Sequence, residues 1–203
     1  MAELSRGFPV ISITGPRQSG KTTLARATFP HLPYANLEVP DVRAFAYEDP
    51  GGFLAQFPGG VILEEVQRVP ELLGWIQGIV DECKAMGMIV ITGSQQFELS
   101  AQITQSLAGR VGRLELLPLS ARELSESGLM LERLDELLLR GGYPAPYDRD
   151  IEVGTWIGNY LATYVERDVR QVVAGAGSVC LRALPGALCR SNWSVAQYDG
   201  IGQ

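Results

Sequence analysis

The chain has 203 residues, of which 46% are hydrophobic and 20% are charged, and its formal net charge at pH 7 is −6. These values are typical of a globular protein, and the negative charge gives no bulk attraction to nucleic acid. No apolar run approaches the length of about eighteen residues that predicts a membrane span, and residues 1–8 lack the apolar stretch of a signal peptide. Three cysteines and a single histidine, His31, exclude a disulfide framework and a His-rich metal site. We therefore expect a cytoplasmic protein.

Short apolar segments alternate with helical patterns over the first 120 residues. The β-branched, apolar segments predict strands at residues 8–14, 34–39, 61–63, 88–91 and 111–117. Helical patterns predict helices at residues 21–28, 72–84 and 95–108. Such alternation is typical of βαβ units, so we predict an α/β fold, a three-layer sandwich with a mostly parallel sheet. Ligands of such sheets bind beyond the carboxyl ends of the strands.

The pattern becomes helical after Pro118. Helices are predicted at residues 121–127, 131–140 and 151–173, and a turn is predicted at residues 141–144. We therefore divide the chain into a core at residues 1–120, a helical region at 121–173 and a tail at 174–203.

The segment between the first predicted strand and the first predicted helix matches the pattern G-x-x-x-x-G-K-[ST] of a P-loop. It consists of Gly15, Pro16, Arg17, Gln18, Ser19, Gly20, Lys21 and Thr22, and Thr23 follows it. A glycine-rich turn lets backbone N–H groups converge on phosphate oxygens, and the helix adds its positive N-terminal end. Lys21 is expected to reach the β- and γ-phosphates, and the Thr22 hydroxyl to bind Mg²⁺. The alternative is a glycine-containing turn with an incidental lysine, but the position between a strand and a helix favours a nucleoside-triphosphate site.

Two glutamates, Glu64 and Glu65, end the third predicted strand. A P-loop site needs an acid at the end of a neighbouring strand to hold Mg²⁺. We expect Glu64 to act on the metal through its water shell, and Glu65 to orient or deprotonate the attacking water. The alternative is a pair of glutamates that cap a strand at the surface.

Polar residues also follow the fourth predicted strand, where Thr92 and Ser94 flank Gly93. They are placed to orient the water or contact the γ-phosphate, although the same residues are common in ordinary turns.

Arg110 precedes the fifth strand, and Arg113 follows three residues later. An arginine at such an edge can reach the γ-phosphate of a neighbouring subunit as a finger; the alternative is a surface arginine.

Taken together, seven segments resemble a family of prokaryotic AAA-type ATPases, known generically as ATP-binding proteins, with a C-terminal domain of unknown function. The segments are GPRQSGKTTLAR from Gly15, NLEVPDVRAFAYEDP from Asn36, ILEEVQRVPELL from Ile62, ITGSQQFEL from Ile91, SLAGRVGRLELLPLSARE from Ser106, GGYPAP from Gly141 and YVERDVRQV from Tyr164. The resemblance implies an AAA-like core that binds ATP with Mg²⁺ and hydrolyses it slowly. It favours Arg110 as a finger or sensor, which implies self-association, and Thr92 to Ser94 as a sensor segment. The family usually has Asp where this chain has Glu64, so we expect hydrolysis to be weak.

Residues 174–203 differ in composition from the rest of the chain. They contain three charged residues, Arg182, Arg190 and Asp199, against thirty-seven in the preceding 173 residues. Back-translation of residues 183–203, shifted by one base, permits RFLALCAGRTGQLLNMTALA, an amphipathic helix that resembles what the family has at this point. We therefore predict a frameshifted, truncated product with a disordered tail, in which the effector domain is lost.

Three functions are compatible with these residues. The first is an ATPase that drives a C-terminal effector, the second a nucleotide-dependent interaction module with little hydrolysis, and the third a small-molecule kinase. The resemblance speaks against the kinase. Nucleic acid is expected as a partner only through the missing C-terminal domain.

Overall fold

The computed structural model describes residues 1–83, 85–94, 103, 105–129, 133–149 and 151–165. The chain divides into two compact units, Met1–Asp150 and Ile151–Gln203. The boundary between these units follows residue 150, whereas the sequence predicts boundaries after residues 120 and 173. The core, helical region and tail that the sequence indicates stay predictions. Within the described ranges, none of the helices has the length and apolar content that a bilayer crossing requires.

The first unit contains a five-stranded sheet, and every strand pair in it is parallel. Its strands are β1 (Val10–Gly15), β2 (Tyr34–Asn36), β3 (Val61–Glu64), β4 (Ile89–Ser94) and β5 (Val111–Glu115). The spatial order is β2-β3-β4-β1-β5, so β1 lies inside the sheet between β4 and β5. The predicted parallel α/β fold is therefore confirmed.

Eight helices of the first unit lie within its described residues. They are α1 (Ala2–Gly7), α2 (Lys21–Thr28), α3 (Pro40–Glu48), α4 (Pro50–Ala55), α5 (Leu72–Cys83), α6 (Ala121–Glu126), α7 (Leu134–Arg140) and α8 (Ala145–Asp148), and a short 3₁₀ turn spans Val66–Arg68. The predicted helix at 95–108 lies largely outside the described residues. Within it, Ile103 and Leu107 are buried, as their four-residue spacing predicts.

The core consists of two apolar clusters, one on each face of the sheet. Alternate residues of the strands enter different clusters: Leu63 and Ile91 pack with α3, α4 and α5, whereas Ile62 and Val90 pack with α2. Full burial of a side chain of this size contributes about 1.5–3 kcal/mol. The two clusters fix the layers of the sandwich and hold α2 against the sheet face that carries Ile62 and Glu64.

The structure corrects the predicted strand at residues 34–39. β2 ends at Asn36, because the Asn36 side chain accepts a hydrogen bond from the backbone N–H of Glu38 at 2.8 Å and turns the chain. Val39 is then the N-cap of α3, and Pro40 occupies the first turn of that helix, where its missing N–H costs nothing. The helices α1, α3, α4 and α8 were not predicted from the sequence.

The described part of the second unit contains α9 (Val153–Tyr160), followed by a π-helical turn at Leu161–Val165. The Glu152 carboxylate caps α9, because it accepts hydrogen bonds from the backbone N–H groups of Gly154 and Thr155 at 2.8 and 2.6 Å. The chain is therefore helical from Val153, two residues after the predicted start of the helix at 151–173. Its end, and the predicted tail at 174–203, lie outside the described residues.

Candidate functional site

The loop between β1 and α2 has the backbone geometry of a phosphate cradle. Gly15 and Gly20 have φ angles of 150° and 94°, and Gln18 is left-handed at 60°. A Cβ atom on Gly15 would lie 2.1 Å from the carbonyl oxygen of Leu116, so only glycine fits there. No side chain caps α2 at Gly20, which leaves the unpaired N–H groups of its first turn without a side-chain acceptor. This arrangement suits an anionic ligand at the start of the helix.

Lys21 is the first residue of α2, and its side chain is buried against this loop. Its Nζ atom donates to the carbonyl oxygens of Gly15 and Pro16 at 3.1 and 2.7 Å. Burial lowers the pKa of the Lys21 ammonium, whereas the nearby Glu65 and Glu64 carboxylates oppose that shift. Lys21, the cationic side chain at the start of α2, therefore lies between the phosphate cradle and the carboxylates of Glu64 and Glu65.

Glu64 lies at the carboxyl end of β3, where two hydroxyl groups bind its carboxylate. The Thr22 hydroxyl donates to Oε1, and the Tyr34 hydroxyl donates to Oε2. Burial, followed by the bond to Glu64, raises the pKa of the Tyr34 phenol, which keeps the phenol a donor. Because the Thr22 proton points at Glu64, the lone pairs of the Thr22 oxygen are left for a cation. The predicted metal-binding pair is thus brought together.

Glu65 follows β3 in a left-handed conformation, with φ at 56° and ψ at 47°. Burial raises the pKa of its carboxyl group, and the positive charges of Arg17 and Lys21 oppose that shift. The Gln67 amide nitrogen donates to Oε2 of Glu65 and, at 3.2 Å, to the hydroxyl of Ser94. Ser94 is the register partner of Gly15 at the end of β4. Gln67, which was not predicted from the sequence, therefore connects Glu65, directly after β3, to Ser94 at the end of β4.

Several buried polar atoms around the cradle have no hydrogen-bond partner among the described residues. They are the Oγ of Ser19, the Oγ1 of Thr92 and the Oε1 of Gln67. Thr92 lies within β4, opposite Ile13, and not after the strand as the sequence predicts, since β4 continues to Ser94. Buried polar atoms are rarely left unpaired in a native protein, so these atoms fit a site for a polar ligand. Thr23, by contrast, is exposed on α2.

The donor set fits Mg²⁺ and a nucleoside triphosphate. Phosphate oxygens need N–H and ammonium donors, which the helix start and Lys21 provide. Mg²⁺ prefers hydroxyl, carboxylate and water oxygens. Thr22 supplies a hydroxyl oxygen, and the Glu64 carboxylate can bind the ion directly or hold one of its water ligands.

The segment at Gly141 to Pro144 also lies beside the cradle. The Cγ of Pro144 is 4.0 Å from the position that a Cβ atom on Gly20 would occupy. The backbone N–H of Leu119 donates to the carbonyl oxygen of Gly142 at 2.7 Å, and the Tyr147 hydroxyl donates to that of Gly141 at 2.6 Å. The sequence reasoning gave this segment no role, since no local pattern connects it to a loop more than a hundred residues earlier.

Arg110 is not part of this cluster in its own subunit. It precedes β5, where its carbonyl oxygen accepts from the N–H of Val10 at the opposite end of β1. Five residues separate Val10 from Gly15, a distance of about 16 Å along a strand. The Arg110 guanidinium instead pairs with both carboxylate oxygens of Asp81 on α5, at 2.5 and 2.8 Å. Arg113 lies within β5, opposite Ser12.

Comparisons with known proteins identify the family of the chain. Residues 7–125 match the family model of an AAA domain, and residues 131–203 match that of a domain of unknown function. The second match includes residues 174–203, which the frameshift hypothesis interprets as aberrant, and so gives that hypothesis no support. The DNA sequence across residues 173–203 is its direct test.

Two curated relatives are uncharacterized proteins of Mycobacterium tuberculosis and Mycobacterium bovis, each 32% identical over 196 residues. The match covers 95% of this chain but 42% of each relative, so the chain spans less than half of their length. Among solved structures, the Walker-type ATPase of Pyrococcus abyssi is similar, with a TM-score of 0.50, 17% identity, and coverage of 94% of this chain and 74% of that chain. That likeness concerns the fold, which is the α/β fold of P-loop NTPases. The chain belongs to a family of AAA-type P-loop ATPases that carry a domain of unknown function.

Proposed function

We propose that this chain binds ATP with Mg²⁺ and hydrolyses the γ-phosphate bond slowly, in order to drive or gate its C-terminal segment. The observation that carries the proposal is the convergence of three groups at one end of the sheet. These groups are Lys21 over the cradle, the Thr22–Glu64 pair, and Glu65 held by Gln67.

Each of these residues has a distinct role in the proposal. The backbone of residues 15–20 and the Lys21 ammonium bind and orient the phosphates, since positioning and charge stabilisation supply most of the catalysis in phosphoryl transfer. Thr22 and Glu64 hold Mg²⁺, which supplies charge neutralisation at the phosphate oxygens when bound. Thr92 and Ser94 line the strand end next to the cradle, where their hydroxyls would contact the γ-phosphate or the water.

Glu65 is the proposed base. Its raised pKa follows from burial, which brings the carboxylate closer to the basicity that proton transfer at neutral pH requires. Gln67 and Ser94 fix the direction of that carboxylate. We also propose the cytoplasm as the compartment, because ATP and Mg²⁺ occur together there, and self-association through Arg110.

A nucleotide-dependent interaction module with little hydrolysis is the second candidate. It is favoured by the identity of the acid at the end of β3, because the family usually has Asp where this chain has the longer Glu64, and a different carboxylate position alters the metal geometry that hydrolysis requires.

Phosphate release without an added acceptor tests the proposal. Lys21→Ala is expected to abolish binding of a fluorescent ATP analogue while the far-UV circular dichroism spectrum stays that of wild type. Glu65→Gln is expected to bind the analogue like wild type and to lose hydrolysis by at least about a hundredfold.

Four results would count against the proposal. Equal analogue affinity in a folded Lys21→Ala variant would remove the phosphate-site assignment, and wild-type turnover in Glu65→Gln would place the base elsewhere. Binding without release of phosphate in wild type would favour the interaction module, whereas turnover that requires a small-molecule acceptor would favour the kinase.

A further inference from the structure

Four residues from three elements form one connected cluster: Thr22 and Arg26 of α2, Tyr34 of β2 and Glu64 of β3. Thr22 and Tyr34 donate hydrogen bonds to its two oxygens, one each. The guanidinium carbon of Arg26 lies 5.2 Å from the centre of the Tyr34 ring. Of these four residues, the P-loop motif accounts for Thr22 and the acid, but neither Tyr34 nor Arg26 has a role in the proposed function.

The fold places these side chains together. Tyr34 of β2 is the register partner of Ile62 in β3, and Glu64 lies two residues beyond Ile62 on the same face of the sheet. Thr22 and Arg26 are four residues apart on α2, so they share one face of that helix. Because α2 packs on the sheet face that carries Ile62, the side of this helix with Thr22 and Arg26 lies against Tyr34 and Glu64.

The Tyr34 contact gives Glu64 a fixed direction. A glutamate has one more rotatable bond than an aspartate, and an unheld carboxylate at the edge of a sheet samples several rotamers. With Thr22 on one oxygen and Tyr34 on the other, a single orientation satisfies both donors. Arg26 stabilises the position of the Tyr34 ring, since a guanidinium within about 6 Å of an aromatic centre is attracted to its face.

We propose that Tyr34 is a positioning residue for the metal-binding acid Glu64, and that Arg26 supports it by holding its ring. This inference rests on the proposed function, in which Glu64 and Thr22 hold Mg²⁺. Partners that orient a metal-binding carboxylate typically contribute 10- to 100-fold to metal affinity. Tyr34 should therefore govern how much Mg²⁺ strengthens ATP binding, and should leave the metal-free affinity, which depends on Lys21 and the cradle, unchanged.

The experiment measures the affinity for a fluorescent ATP analogue in EDTA and in Mg²⁺, and compares the ratio of the two affinities among variants. Tyr34→Phe removes only the hydroxyl, and it is expected to reduce the Mg²⁺-dependent gain by about tenfold with the EDTA affinity unchanged. Arg26→Ala should reduce the gain less, in the same direction. Tyr47→Phe, at an exposed tyrosine of α3, is the matched control and should keep the wild-type ratio.

A double-mutant cycle makes the test specific to the Tyr34–Glu64 pair. Glu64→Asp shortens the acid and withdraws it from Tyr34, so Tyr34→Phe should have little further effect in that background. Additive effects of the two changes, or an unchanged Mg²⁺ gain in Tyr34→Phe, would overturn the inference alone. A wild-type chain that binds the analogue in EDTA and gains no affinity from Mg²⁺ would overturn the metal site of the proposed function as well.

Discussion

Gln67 is the residue through which two strand ends of the site are connected. Its amide nitrogen is shared between Glu65 on one side and Ser94 on the other. Gln67→Ala removes both bonds and leaves the partly buried Glu65 carboxylate free to turn. Since a hydrogen bond to a charged group is worth about 1.5–3 kcal/mol, we expect the rate of ATP hydrolysis to fall by at least about tenfold. ATP affinity should fall less than the rate, because Lys21 and the backbone of residues 15–20 are still present to bind the phosphates.

Steady-state phosphate release, together with analogue titration, measures the two quantities separately. Gln77→Ala, on α5, is the control for loss of a glutamine side chain. A Gln67→Ala variant that turns over ATP at the wild-type rate would show that Glu65 is held by other means. Equal losses of rate and affinity would show instead that Gln67 supports the fold of the site.

The sequence predicts a role for a residue only where neighbouring residues along the chain define that role. Gly15, Lys21 and Thr22 belong to one contiguous motif, and Glu64 and Glu65 follow an apolar strand directly, so their chemistry can be predicted without a structure. Gln67 and Tyr34 could not be predicted in this way. Their partners lie 27 and 30 residues away along the chain, and only the register of neighbouring strands brings them together.

The elements were predicted well where apolar periodicity decided them. The helix at residues 21–28 agrees with the structure, and three of the five strands agree within two residues at each end, whereas β4 continues three residues beyond its predicted end. The prediction was wrong at β2, where a polar turn at Asn36 ended a strand that composition alone would extend. It missed α4, since the two glycines at positions 51 and 52 have low helix propensity; the Asp49 cap, Pro50 in the first turn and the burial of Phe53 and Leu54 stabilise this helix.

Two glycine-to-alanine substitutions test how the elements of the first unit pack. A Cβ atom on Gly142 would lie 2.2 Å from the carbonyl oxygen of Leu119, so Gly142→Ala must displace one of these backbones. We expect a loss of about 1–3 kcal/mol in the free energy of unfolding. A Cβ atom on Gly78, on the exposed side of α5, meets nothing within 4 Å. Gly78→Ala should therefore stabilise the protein by about 0.5–1 kcal/mol through higher helix propensity.

Urea unfolding, followed by circular dichroism, measures both changes under one condition. If Gly142→Ala unfolds at the wild-type urea concentration, the contact between residues 119 and 142 does not constrain the segment beside the cradle. A loss of stability in Gly78→Ala would show that this face of α5 is covered in solution.

At the scale of the whole molecule, Arg110 and the cradle lie at opposite ends of the same sheet. The cradle follows the carboxyl end of β1, whereas Arg110 lies next to its first residue, Val10. An arginine in this position cannot reach the phosphates of its own subunit. It can reach those of a second subunit only if copies pack head to tail, so that the Arg110 end of one sheet faces the cradle of the next.

The Arg110–Asp81 pair makes this arrangement testable. The pair lies at the surface, and an arginine is charged at neutral pH whether or not it is bonded to Asp81. Asp81→Ala removes the pairing but keeps the arginine. A finger that acts in trans should then stay active or become more active, whereas a purely structural ion pair should lose the same activity in Asp81→Ala as in Arg110→Ala.

The decisive prediction is complementation between two inactive variants. An arginine finger contributes about 10³–10⁵ in rate, so Arg110→Ala subunits alone should be nearly inactive, as Glu65→Gln subunits alone should be. In a mixture, some interfaces place the intact Arg110 of a Glu65→Gln subunit against the intact Glu65 of an Arg110→Ala subunit. Phosphate release should therefore rise above that of either variant and pass through a maximum as the mixing ratio is varied. Light scattering on the same samples establishes whether mixed assemblies form. If they form and no ratio restores activity, Arg110 does not act across a subunit interface.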